Sequence, residues 1–151
     1  SPVLANIKKN GTVMTDAGQV GKWGSPTFEV WVVRKDFAAQ HPEVLRKFSN
    51  VTLDYYAAYN KCKSSWSTNS TQVQKIAKIT GVDAKDVPAL LAGADYPDRH
   101  AQLSSQYLGG RTIQNIANSV NFLKEQGLVR QVSANYQNFV TTRFIQAPKF
   151  K

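Results

Sequence analysis

Apolar positions at helical spacing run through most of this chain, and one stretch of strict alternation stands apart from them. From Phe28 to Arg34 the side chains alternate, with Phe28, Val30 and Val32 on one face and Glu29, Trp31 and Val33 on the other, which predicts a strand. Before it, Pro2, Leu4, Ala5 and Ile7 predict a short helix ending at Asn10-Gly11, and Thr12 to Thr15 an extended segment. Gly18, Gly21, Gly24 and Pro26 break any period, so 16–26 reads as a loop. After the strand the pattern turns helical. Pro42 opens a helix to about Lys61, carrying Val44, Leu45, Phe48, Val51, Leu53 and Tyr55. Ser70 or Thr71 caps a second helix with Val73, Ile76, Ala77 and Ile79, which Gly81 stops. Asp83 caps a third, bearing Val87, Leu90 and Leu91 and stopped at Gly93. The strongest runs from Arg111 to Gln126, with Ile113, Ile116, Ala117, Val120 and Leu123 on one face and Gly127 at its end. A last helix is expected over 134–144, burying Tyr136, Phe139, Val140 and Phe144; 94–110 is ambiguous.

One strand and one short extended segment cannot form a sheet alone. The apolar face of 28–33 therefore needs strands from outside this sequence, or a second copy of the chain. The start also reads as internal. Ser1-Pro2 enters a helical pattern without the basic start and apolar run of a leader.

Composition narrows the function classes. A chain of 151 residues with 42% hydrophobic content can fold around a core. No apolar run approaches the roughly 18–20 residues that span a bilayer. The net charge of +9 raises a nucleic-acid reading. The charge is spread evenly, however, with ten Lys/Arg against five Asp/Glu in 1–75 and nine against five in 76–151. That is a solvated basic surface rather than a nucleic-acid patch. Cys62 is the only cysteine, so no intrachain disulfide and no cysteine-based metal site can be built; it reads as a small, partly buried side chain near a helix end.

Catalytic signatures are missing. There is no Gly-rich phosphate loop, HExxH, CxxC or GxSxG, and His41 and His100 are the only histidines, one before Pro42 and one in a polar turn. The chain is expected not to be an enzyme and to use no cofactor or metal. What remains is recognition chemistry. Glu29 sits among Phe28, Val30, Trp31, Val32 and Val33, where a carboxylate must reach solvent or meet a cation. Trp23 offers a flat apolar wall and one N–H donor, and Gly24 and Ser25 allow close backbone approach. Thr27 adds a hydroxyl. Tyr55, Tyr56, Tyr59, Trp31 and Trp66 read as packing or surface residues.

The segment Gly21-Lys22-Trp23-Gly24-Ser25-Pro26-Thr27-Phe28-Glu29-Val30-Trp31-Val32-Val33-Arg34-Lys35-Asp36-Phe37 resembles the taurine and alkanesulfonate solute-binding subunits of bacterial ABC importers. The likeness continues in order through Gln40-His41-Pro42-Glu43-Val44, Asp86-Val87-Pro88, Phe122-Leu123-Lys124-Glu125-Gln126-Gly127 and Tyr136-Gln137-Asn138-Phe139-Val140-Thr141-Thr142-Arg143-Phe144. The resemblance implies an α/β periplasmic-binding fold of type 2 with two lobes. Only its C-terminal part would be here, mostly helical with one or two strands. Residues 1–28 would end the second lobe and form the interlobe loop. Residues 29–151 would be the crossing strand and the C-terminal helical part of the first lobe.

It also implies a role in capturing taurine or a related small sulfonate for uptake. The partners would be that ligand, an ABC permease in the membrane and the N-terminal half of the same protein, with no nucleic acid. The location would be the periplasm, or the outer face of a Gram-positive membrane by an anchor. The candidate ligand-binding residues are Glu29, Trp23 and Thr27, and by the resemblance Glu29 receives the ligand's ammonium. The family most often shows Asp there, so the carboxylate here is one methylene longer. Two other readings share the fold. One is the effector-binding domain of a transcriptional regulator. The other is an enzyme like the thiamine pyrimidine synthases, whose cysteine-rich motif this chain lacks.

Overall fold

A computed structural model describes Ile7 and residues 10–146, and among residues 10–146 seven α-helices and two 3-10 turns follow one another. The helices are α1 Ala17–Lys22, α2 Lys35–Gln40, α3 Pro42–Lys61, α4 Thr71–Thr80, α5 Val87–Ala92, α6 Arg99–Leu103 and α7 Arg111–Glu125. The 3-10 turns are Lys63–Ser65 and Gln137–Phe139. Most of the helix expected over the first ten residues lies outside the described residues.

The helix signals with a cap and a clear stripe are borne out. Pro42 sits in the first turn of α3, where its missing N–H costs nothing. The Ser70 hydroxyl accepts from the Val73 N–H at 3.3 Å and opens α4. Gly81 closes that helix at φ 71°, the left-handed conformation that favours glycine, with its N–H on the Ala77 carbonyl at 2.8 Å. Asp83 does not cap α5 as expected. Its Oδ1 takes the Lys85 N–H at 3.1 Å, in a turn that delays the helix to Val87.

No strand occurs among the described residues. The alternating stretch 28–34 and the segment 12–15 carry no sheet pairing, which corrects the expected one or two strands. Alternation gives a strand its faces but not its partner, and nothing in the described chain supplies one. Val30, Trp31 and Val32 consequently stand 49%, 76% and 88% exposed. The expected loop at 16–26 is corrected as well. Asp16 Oδ1 accepts from the Gln19 N–H at 2.8 Å, and this cap starts α1 despite Gly18 and Gly21.

The core lies between α3, α4 and α5. Tyr59, Trp66, Val73 and Val87 are buried together, with Ile76, Ala77, Val82, Ala84, Leu91 and Tyr96 packed around them. Tyr59 meets Trp66 edge-on at 5.4 Å, and Val73 is fully enclosed. The C-terminal segment does not form the expected helix. Its start is held in local side-chain turns instead: Asn135 Oδ1 takes the Gln137 N–H at 2.7 Å, and the Tyr136 hydroxyl takes the Ser133 N–H at 3.0 Å. Only Gln137–Phe139 forms a helical turn, of 3-10 type; Phe139 stays exposed, and Ile145 is the residue buried there. Cys62 is exposed at the end of α3 rather than partly buried.

Candidate functional site

The loop that carries the candidate residues is shaped by the end of α1. The Trp23 N–H reaches the Gln19 carbonyl at 3.1 Å, and the Ser25 N–H returns to the Val20 carbonyl at 3.2 Å. Gly24 makes this reversal at φ 104°, a conformation an L side chain rarely adopts. The reversal leaves the Trp23 indole 68% exposed and folds Pro26 back against Gly21. Thr27 and Glu29 follow on the exposed stretch.

Beyond them the chain lies along α3. The Trp31 ring meets Phe48 edge-on at 5.0 Å. At the end of the stretch, Arg34 Nε donates to Asp36 Oδ1 at 3.0 Å, and this hydrogen bond and that from the Phe37 N–H hold the Asp36 carboxyl below its ordinary range.

About two turns of helix further along α3 begins a group of tyrosines. Tyr96 packs edge-on against Tyr56 and against Tyr59, each at 5.1 Å, and its carbonyl accepts from Asn60 Nδ2 at 2.6 Å. Burial pushes the Tyr96 phenol above its ordinary value, with further upward contributions from Tyr59, Tyr56 and the Glu29 carboxylate. No cation lies within 4.0 Å of the Glu29 carboxylate among the described residues. An unpaired carboxylate on an exposed stretch suits a small organic cation.

The structure places Trp23, Thr27 and Glu29 on one continuous exposed stretch but does not gather them in one cavity. The nearest concavity on that loop holds 320 Å³ and is lined by Gly21, Pro26, Gln106, Tyr107, Arg111 and Asn115. A second, of 430 Å³, lies on α3 and α6 between Leu53, Asp54, Asp98 and His100. Reading the sequence did not single out Tyr96 or Arg111. Each lies more than sixty residues from Glu29 in the chain, and only folding brings their elements to the loop and to α3. The expected role of Tyr59 as core holds, while Tyr55 is 57% exposed. Among the described residues no group of three or more His, Cys, Asp or Glu could hold a metal ion.

No family model matches the chain. It is similar to the taurine-binding periplasmic protein of Escherichia coli (strain K12), at 40% identity over 146 residues. The match takes in 97% of this chain and 45% of that protein, so the chain spans about half the length of the curated relative it matches. The resemblance read from the sequence is thereby borne out over nearly the whole chain.

Proposed function

We propose that this chain belongs with the solute-binding receptors of ABC importers and forms the C-terminal part of one that captures taurine or a related small sulfonate for uptake. The observation that carries the reading is the 40% identity to a taurine-binding periplasmic protein across 97% of the chain. The unpaired apolar stretch 28–33 supports the same reading, because a two-lobed receptor would supply the missing strands from its other half. In this account residues 1–28 end the second lobe, 29–151 belong to the first, and the ligand is held where the chain crosses between them. Hinge closure over the ligand produces the form that an ABC permease recognises. The site of action is the periplasm, or the outer membrane face in a Gram-positive cell.

The chemistry follows from the ligand. Taurine is a zwitterion and needs an anion for its ammonium and donors for its sulfonate. Glu29 supplies the anion. Trp23 walls the two-carbon linker, and Thr27 adds a hydroxyl. The protein binds and releases its ligand unchanged and is not an enzyme. Equilibrium dialysis of the natural full-length polypeptide against labelled taurine, β-alanine and glycine tests the reading. Saturable retention of taurine above the two carboxylates supports it; retention of none of the three, or equal retention of all, counts against it.

A further inference from the structure

Three asparagines precede a Gly or Ser: Asn10 before Gly11, Asn69 before Ser70 and Asn118 before Ser119. The structure treats them differently. Asn118 and Ser119 lie inside α7, where the helix holds the main-chain N–H groups, and Asn118 Oδ1 accepts from Gln114 Nε2 at 2.8 Å. The Ser70 N–H donates to the Ser67 carbonyl at 2.9 Å, and its hydroxyl caps α4. Asn10 and Gly11 are both exposed, in a bend outside the described helices. The Asn10 N–H turns back onto the Ile7 carbonyl at 3.1 Å, whereas the Gly11 N–H has no main-chain acceptor among the described residues. With no Cβ, Gly11 leaves its nitrogen unhindered and its backbone free to turn.

We infer that Asn10 is a site of spontaneous modification, its side-chain amide lost by ring closure onto Gly11 to leave aspartate and isoaspartate. The Gly11 nitrogen gives up its proton to solvent hydroxide and attacks Asn10 Cγ. The N–Cγ bond forms and the Cγ–Nδ2 bond breaks. The leaving nitrogen takes a proton from water and departs as ammonia, and the ring that remains is a succinimide. Water then adds at one of the two ring carbonyls. Opening at Cγ restores the main chain and leaves aspartate. Opening at the Asn10 main-chain carbonyl carbon routes the chain through the side chain, as isoaspartate. Water is the only co-reactant, and nothing is oxidised or reduced. Each event takes one unit from the net charge of +9 at neutral pH. Isoaspartate also adds a methylene to the backbone ahead of the Asp16 cap of α1. The inference stands apart from the proposed function, because it needs only an exposed Asn-Gly pair whose nitrogen can reach the amide.

The test is to age the natural full-length polypeptide at neutral and at mildly alkaline pH, then digest it with trypsin and weigh the peptides. Cleavage after Lys9 and Lys22 isolates the segment that begins at Asn10. That peptide should gain the mass difference between an amide and an acid and split into two chromatographic forms. Its rate should rise with pH, because the attacking nitrogen must first lose its proton. The peptides that hold Asn69 and Asn118 should change at least about tenfold more slowly, since their following nitrogens are held away from the attack. Gly11 lies outside the left-handed region, so Gly11→Ala keeps the turn, and its Cβ should slow the change at Asn10 by about tenfold. A protein isoaspartyl methyltransferase with a labelled methyl donor should label the aged protein and leave aged Asn10→Gln unlabelled, because Gln would have to close a larger ring. An Asn10 peptide that ages no faster than the Asn69 peptide, or an unaltered rate in Gly11→Ala, would overturn the inference.

Discussion

Arg99 donates through Nη1 to the main-chain carbonyl of Ile145 at 2.6 Å, joining positions 46 residues apart. Its Nη2 donates to Asn50 Oδ1 at 2.9 Å, so one guanidinium ties α6, α3 and the C-terminal segment together. A C-terminal segment with only one short 3-10 turn has few backbone bonds of its own, and this tie anchors it. Arg99→Ala should cost about 1.5–3 kcal/mol, the range for hydrogen bonds to a charged donor. Urea denaturation measures it. An unchanged midpoint would mean that the tie is incidental.

Val73 and Val32 test where the packing energy resides. Val73 is completely enclosed between α4 and its neighbours, whereas Val32 is 88% exposed. Val73→Ala should lose about 2–3 kcal/mol through lost burial and the residual cavity. Val32→Ser should change the stability of the 151-residue chain by less than about 0.5 kcal/mol. In the natural full-length polypeptide the same Val32→Ser change should cost more, because strands supplied by the other half would cover that face. Equal effects in both would remove the argument that 28–33 is part of a completed sheet.

Gly109 holds the turn that sets Arg111 in place. A Cβ on Gly109 would lie 2.5 Å from the Leu103 carbonyl oxygen and 2.6 Å from that of Ser104, both main-chain atoms that cannot move freely. Gly109→Ala should therefore destabilise by about 1–3 kcal/mol, as overpacking does. It should also disturb the Tyr107 and Arg111 signals. Gly93→Ala makes the contrast: φ is −81° and the nearest atom lies at 3.4 Å, so the change should be nearly neutral. Thermal melting and amide spectra of the two variants read the difference.

The Tyr96 phenol gives a pH prediction. Its folded pKa lies above the unfolded value near 10 because burial disfavours the phenolate, and the neighbouring tyrosines and Glu29 add to that. The unfolded state then releases its proton first as the solution turns alkaline. The contribution is fully present below about pH 10 and is lost as pH rises through the folded pKa. Tyr96→Phe should flatten the fall in stability between pH 9 and 11 in paired urea titrations. An identical slope in both proteins would contradict this.

Much of the helical architecture was legible because its signals are local. Pro42, the Ser70 cap, the Gly81 stop and the apolar stripe of α7 each act within a turn or two of chain. The misses share a physical cause as well. Phe28 to Arg34 has the faces of a strand, but pairing depends on a partner the sequence does not hold. In α1, the Asp16 cap outweighed two glycines that argued for a loop. Over 134–144 the periodicity was present, but the backbone follows local turns around Ser133 and Asn135, a single 3-10 turn at Gln137–Phe139 and an extended Val140. At the candidate site, Glu29, Trp23 and Thr27 were visible as one stretch. Tyr96 and Arg111 were not, because Tyr96 meets α3 and Arg111 meets the loop only once the chain is folded.

The central claim is that Glu29 receives the ammonium of an amino-sulfonate. Isothermal titration of the natural full-length polypeptide with taurine and with ethanesulfonate, alongside Glu29→Gln, tests it most directly. The account predicts that taurine binds more tightly than ethanesulfonate, and that Glu29→Gln weakens taurine by about tenfold or more while narrowing the gap between the two. Equal binding of the two solutes, together with a Glu29→Gln protein that holds taurine as well as the unaltered one, would contradict it.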